Sequence, residues 1–408
     1  MKSWVLGVAG IAGAGVALAV NSRDAGAAAS QAWPAFVLVA GLLLVGLVAA
    51  EDGLFAAAGA ALRRACPNSL LLFCGMAALI MVVSAVLNLD TAVAFLTPVA
   101  VSAGGRSTDA GLEEGLEEGR PNVGAALLPA CILLSNAGSL LLPGSNLTNL
   151  IVVTHARISG GSFASRMFLP WIAVGLVTAG VVAVLSRDSL RAKRDGSPTQ
   201  LGGESASAEG SPGRPRLGVG AVGIGAAVAA MLLLGSPSLV VLAVGVAAVC
   251  ARMFGARMLG VRAPGGSVKV SRVAQVLNLP VLVGLMGLAT AVGTLGRLWS
   301  GPSELLGHLD PLGTAVAAAV STVLINNLPA ASLLSARAVT HPLALLVGLD
   351  VGPNLFVSGS LAWVLWLSSA RACGVDPGLR RALRIGLIAA PLGTLAGVAA
   401  LMAVAGGG

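Results

Sequence analysis

Two stretches of this 408-residue chain set amides and an acid inside its most apolar surroundings: Asn88-Leu89-Asp90-Thr91 and Asn326-Asn327-Leu328-Pro329. Each ends an apolar run, each follows a hydroxyl residue one helical turn earlier (Ser84, Thr322), and each precedes a proline. Proline frees a backbone carbonyl and bends a helix. Unwound carbonyls, Asn amides and a carboxylate are oxygen ligands for a cation, or a seat for a proton. A polar or ionisable group at membrane depth is costly to insert and as a rule faces a protein-lined path.

A second pair of clusters follows the first. Asn136-Ala137-Gly138-Ser139 leads into Pro143-Gly144-Ser145-Asn146-Leu147-Thr148-Asn149, and Asp350-Val351-Gly352-Pro353-Asn354 leads into Ser358-Gly359-Ser360. Gly and Ser let backbone amides approach a ligand. Amides at the start of a half-helix attract an anion or a polar oxyacid, and Asn146 and Asn354 read as caps of such half-helices. Asp90 and Asp350 are the acids that can cycle a proton, with Asp90 ranked first. Small and polar residues also glue membrane helices together, so a single Ser or Asn here means little. Both cluster types recur in the same order in the two halves, and that recurrence points to a built site.

The elements that must position these clusters are membrane helices. The chain is 56% hydrophobic and 10% charged, with a mean hydropathy of +0.91, against roughly a quarter charged in soluble domains. Apolar runs of the ~20 residues needed to cross a bilayer are predicted near 3–20, 32–50, 69–87, 122–142, 167–186, 217–235, 237–254, 274–296, 313–325, 343–370 and 384–404. The stretches 88–102, 143–155 and 326–336 read as broken helices or re-entrant hairpins, tolerated only where protein or a cavity covers them. The expected fold is an all-α polytopic membrane protein of two inverted-topology repeats with re-entrant hairpins and broken helices. Residues 1–186 form the first repeat, 187–216 a Gly/Ser/Pro-rich cytoplasmic linker, and 217–408 the second repeat.

Net charge +8 suggests nucleic acid only superficially. The basic residues sit in short loops, Tyr is absent, and no basic stripe interleaves with aromatics. Arg and Lys in 187–216, 255–272 and 371–384 place those loops in the cytoplasm. Loop 297–312 and the C-terminus then lie outside, and an inverted first half puts the N-terminus outside and the acidic insert 103–121 inside. The Trp residues mostly fall near span ends, as interfacial anchors do. Five scattered cysteines make no disulfide framework or metal site. No metalloprotease or nucleophile–base spacing supports an enzyme, and no cofactor is expected. The first helix is expected to be retained rather than cleaved.

NLDTAVAFLTP (88–98), SLLLPGSNLTNLIV (139–152), STVLINNLPAASLL (321–334) and GLDVGPNLFVSGSLAWVLWL (348–367) resemble the arsenite/antimonite efflux permease family of the ion transporter superfamily. The resemblance implies paired inverted repeats, each with a hairpin and an unwound helix at mid-membrane. It also implies proton-coupled export of trivalent oxyacids, a homodimer and a cytoplasmic ATPase subunit as partners, and residence in the plasma membrane. By matching position, Asn88, Asp90, Ser145, Asn146, Asn326, Asn327, Asn354 and Ser360 line the site, with Thr91 and Gly144 beside them. The better-known permeases place two polar residues side by side where Leu89 separates Asn88 from Asp90 here. The alternative is a sodium- or proton-coupled carboxylate or other anion transporter of the same superfamily. A non-transporting membrane subunit is the alternative of another class.

Overall fold

The computed structural model describes residues 3–104, 123–191, 218–258 and 268–406. Most of the acidic insert and most of the linker lie outside the described residues. Helices make up the described chain, with no strand among the described residues. Five segments are long and apolar enough to cross a membrane: Ser22–Glu51, Ser69–Val86, Gly160–Leu185, Val270–Leu298 and Leu379–Val404.

The order of elements repeats. The first set runs through a long helix α2 (Ser22–Glu51), preceded by α1 (Ser3–Val20), then a short α3 (Leu54–Ala65). Two helices meeting at a tip follow, α4 (Ser69–Val86) and α5 (Leu89–Gly104). Then come a broken helix, α6 (Gly124–Gly138) and α7 (Leu147–Ala156), and a long α8 (Gly160–Leu185) with a short α9 (Arg187–Arg191). The bridging elements are α10 (Val219–Leu233), α11 (Ser238–Met258) and α12 (Val270–Leu277). The second set repeats the series: long α13 (Leu279–Leu298), short α14 (Gly301–His308), the pair α15 (Pro311–Ile325) and α16 (Asn327–Leu334), broken α17 (Pro342–Val351) and α18 (Ala362–Ala372), and long α19 (Leu379–Gly406). The short α3 and α14 were not foreseen as elements. The span predicted over 343–370 is interrupted by 3₁₀ turns at Gly352–Leu355 and Val357–Gly359.

Glycine contacts fix helix directions. A Cβ on Gly138, at the end of α6, would meet Ser84 and Met81 near the end of α4, while Gly104, at the end of α5, abuts Gly124 at the start of α6. So α4 runs with α6 and α5 runs against it, which makes α4–α5 a hairpin. In the second set, Gly348 abuts Ala315 and Gly352 abuts Ala319, so α15 runs with α17. From the tip, α16 must return toward Pro342 to begin α17. Such close approach is how membrane helices gain van der Waals contact when lipid removes the hydrophobic drive between them.

The same contacts order the two membrane faces. Asp52 pairs with Arg252 at 3.1 Å and Glu51 with Arg272 at 3.6 Å, so the end of α2 shares a face with the basic loop after α11. Gly7, Gly10 and Gly13 of α1 meet Pro280, Gly284 and Ala291 of α13 in ascending order, so the two run parallel. With Arg252, Arg272 and their neighbours cytoplasmic by the positive-inside rule, α1 starts inside and ends outside. That reverses the outside start expected for the chain. It also places Arg63 and Arg64 inside, where the rule wants them. Helix α2 then runs inward and its counterpart α13 runs outward, so the repeats are inverted.

One core cluster draws on both sets, from Leu72, Leu96 and Leu133 to Leu345, Leu349 and Trp366. Trp363 and Trp366 are fully buried rather than interfacial. Their indole N–H groups donate to Pro353 O at 2.8 Å and Leu128 O at 3.0 Å, and their rings meet edge to face. An indole needs both apolar bulk around it and a partner for its N–H, here Pro353 O in the break of the second broken helix and Leu128 O within α6.

Candidate functional site

The two broken helices have the same backbone. Leu142 and Phe356 are both extended and lead into a 3₁₀ turn, Pro143–Ser145 and Val357–Gly359 respectively. Asn146 (φ −148°, ψ 146°) and Ser360 (φ −151°, ψ 147°) then end the break in nearly identical conformations. Asn146 Oδ1 accepts from Thr148 N–H at 3.4 Å, and Ser360 Oγ accepts from Ala362 N–H at 3.2 Å. So Asn146 caps α7 as expected, but its counterpart is Ser360. Asn354 caps nothing: its Oδ1 accepts from Asn136 Nδ2 at 2.8 Å and its Nδ2 donates to Leu133 O at 3.0 Å.

The hairpin tips correspond too. Asn88 Oδ1 accepts from Asp90 N–H at 2.8 Å, and Asn326 Oδ1 accepts from Leu328 N–H at 3.4 Å. Asn326 adopts φ +74°, a region few residues other than Gly and Asn tolerate. Its Nδ2 donates to Ser358 O at 2.9 Å, tying the second hairpin to the break in α17–α18.

Where the broken helices meet, the second repeat inserts a carboxylate into the first. Asp350 is fully buried. Its Oδ1 accepts from Asn146 Nδ2 at 2.9 Å and from Thr148 Oγ1 at 2.7 Å. Its Oδ2 is buried with no hydrogen-bond partner, as are Asn136 Oδ1 and Asn149 Oδ1. No described Lys, Arg or His pairs with it. An ionised carboxylate held this way needs a cation or a proton to offset its desolvation. Around it, Ser145 Oγ donates to the Ser139 and Leu142 carbonyls, and Asn149 Nδ2 donates to Ser139 O at 2.7 Å. The arrangement is rich in acceptors, the chemistry of a cation or proton site.

The other expected residues lie around this crossing. Asn88 is buried and Asn327, at the start of α16, is nearly so. Asp90 is half-buried, and no hydrogen bond joins its carboxylate to the network around Asp350. Thr91 is fully buried, with its methyl against Gly46 of α2. Gly144 faces Met231, Leu38 and Leu42. The motif reading passes over Asn136, Ser139, Thr148 and Asn149, though all four stand in the quoted segments. The signal for Thr148 was its place in the first turn of a half-helix beside an Asn cap, where side chains point at whatever faces the helix end.

Comparison with known proteins fits this frame. The family model described as "citrate transporter" (CitMHS) matches residues 3–367. The crystal structure of the YdaH transporter of Alcanivorax borkumensis, described as having an unusual topology, is similar in fold with a TM-score of 0.55. It shares 16% identity, over 95% of this chain and 89% of that one. No curated protein matches the chain in sequence. The arsenite-permease resemblance therefore holds at the level of the superfamily, and the narrower assignment moves: this multi-pass membrane chain, a transporter by family and fold, belongs to the citrate transporter family.

Proposed function

We propose that the protein is a secondary-active transporter of small carboxylates, citrate foremost, driven by a sodium or proton gradient. The match to the citrate transporter family over residues 3–367 carries this reading, and the geometry supports it. Four half-helices, α5, α7, α16 and α18, begin at the hairpin tips and breaks. Their N-terminal amides offer partial positive charge to an anion, which offsets the absence of Lys and Arg from the motifs. Freed carbonyls and Asp350 serve the coupling cation or proton. In this scheme Asn88, Asp90, Thr91, Gly144, Ser145, Asn146, Asn326, Asn327, Asn354 and Ser360 line the path. Asp350 replaces Asp90 as the leading coupling acid, because Asp350 alone is held at the crossing of both repeats.

Export of arsenite-like oxyacids has in its favour only the motifs' lack of Lys and Arg, and the family match outweighs that. The reading keeps a homodimer as part of the proposal. It has no step for an ATPase subunit, since an ion gradient supplies the drive. The test is citrate uptake into proteoliposomes under an imposed sodium gradient, an imposed pH gradient, or neither, with arsenite as the competing cargo. Gradient-driven citrate uptake that Asp350→Asn abolishes is expected. Gradient-driven arsenite movement without citrate uptake, by protein shown to be folded, would overturn the proposal.

A further inference from the structure

On the face opposite the Arg252 loops, a cleft of about 460 Å³ opens between the end of α7, the start of α8 and the segment after α16. His155 and Arg166 line it, together with Val152, Ser335 and Ala338. Arg157 and Arg297 act electrostatically on His155, and the guanidinium of Arg337, next to Ala338, donates to the Arg297 carbonyl. The acid that acts on Arg297 is Asp24. None of Arg157, Arg166, Arg297 and Arg337 forms a salt bridge with a described carboxylate.

The bland explanation for such charge is a solvated loop on the cytoplasmic side. It does not apply here, because helix directions put this cluster on the outer face, where the positive-inside rule depletes Arg and Lys. The cleft also leads toward the site. Its wall residue Val152 lies about one turn of α7 beyond Thr148, the residue that donates to Asp350. Buried Gln31 of α2 bonds to the wall residue Ser335. Its Nε2 donates to Ile151 O at 3.1 Å and Ser335 O at 3.2 Å, and its Oε1 accepts from Arg297 Nη2 at 2.6 Å.

We propose that this cleft is an outer vestibule that captures multivalent carboxylate anions on Arg166, with the neutral imidazole of His155 as a hydrogen-bond donor, before they pass toward the crossing of the broken helices. The inference rests on the carboxylate reading above and adds the place and charge of the entrance. A cleft walled by one sign of charge raises the local concentration and on-rate of an opposite ion, and loses that gain with salt.

The local charge can be read without transport. Ala338→Cys in the full-length protein, in right-side-out vesicles, is labelled with an anionic or a cationic methanethiosulfonate reagent, with the protein lacking that cysteine as blank. The anionic reagent should be favoured, and adding Arg166→Gln should lower the anionic-to-cationic rate ratio by about threefold or more at low ionic strength. Citrate should slow labelling. An unchanged ratio, labelling only from the cytoplasmic side, or no protection by citrate would overturn the vestibule. Protection by citrate in protein that transports no carboxylate would uphold the vestibule and sink the transport reading. Where citrate is transported, Arg166→Gln should raise KM several-fold in dilute buffer, with the difference shrinking as salt rises.

Discussion

The two repeats share an order of elements and differ in where they put their acids. At the breaks, Asp350 of the second repeat stands where the first has Asn136. At the hairpin tips the order reverses, with Asp90 in the first repeat where the second has Leu328. Both breaks end in a 3₁₀ turn and an extended residue whose side chain accepts from the amide two residues on. Both tips use an Asn whose oxygen holds the amide two residues on. Inverted halves with one order of elements give two equivalent ways to open a site, which alternating access requires. A coupling charge, by contrast, is needed once. On the proposed function, the difference between the halves marks the residues specific to chemistry, while the likeness marks those that make the frame.

The sharpest way to break this comparison is Asp350→Asn, which keeps the shape and removes the charge. Gradient-driven uptake should fall by about 100-fold, equivalent to about 3 kcal/mol. Detergent-solubilised protein should melt no lower than wild type, since a buried charge is gone. Moving the acid across the symmetry, Asp350→Asn with Asn136→Asp, should recover about tenfold of the lost uptake if the two positions are interchangeable. No recovery would show that the site depends on Thr148 and Asn146 facing the acid from one side only.

Smaller effects test the frame. Gly352→Val drives a side chain against the Ala319 backbone, since even a Cβ would stand 2.5 Å from its Cα. It should destabilise the protein by about 1–3 kcal/mol, and by more than Gly138→Val, whose nearest obstacle is the Ser84 side chain. Thermal unfolding in one detergent compares the two. Replacing the matched caps, Asn146→Ala and Ser360→Ala, should each cost about 1 kcal/mol. Of the two, only Asn146→Ala should also change the ion dependence of uptake, because Asn146 holds Asp350 and Ser360 does not. Asp90→Asn should have the smallest effect, a loss of less than about tenfold. A larger loss than for Asp350→Asn would reverse the assignment of the coupling acid.

The helical membrane fold, the two repeats and their broken segments were readable because apolar runs and their polar interruptions follow directly from bilayer physics. Three things were not. Cap identity follows backbone position, and Asn and Ser serve equally well, so Asn354 looked like the partner of Asn146 when Ser360 is. The direction of α1 depended on a seam of glycines with α13, which only contact reveals. The burial of Trp363 and Trp366 depended on two carbonyl partners, Pro353 O and Leu128 O, that folding brings to them. Short α3, ending in Arg63 and Arg64, lacks the length of a span and gave no clear signal against its loop.

The seam between α1 and α13 also bears on how the protein is made. Gly10 sits against Gly284 and Gly287, so α1 lies against a helix that is synthesised far later than itself. At roughly 5–20 residues per second of synthesis, α1 waits for tens of seconds in the bilayer before that surface is covered. A truncation just before α13 would leave a glycine-lined groove open to lipid and to quality-control proteases. The order of translation thus separates insertion of α1 from closure of this seam.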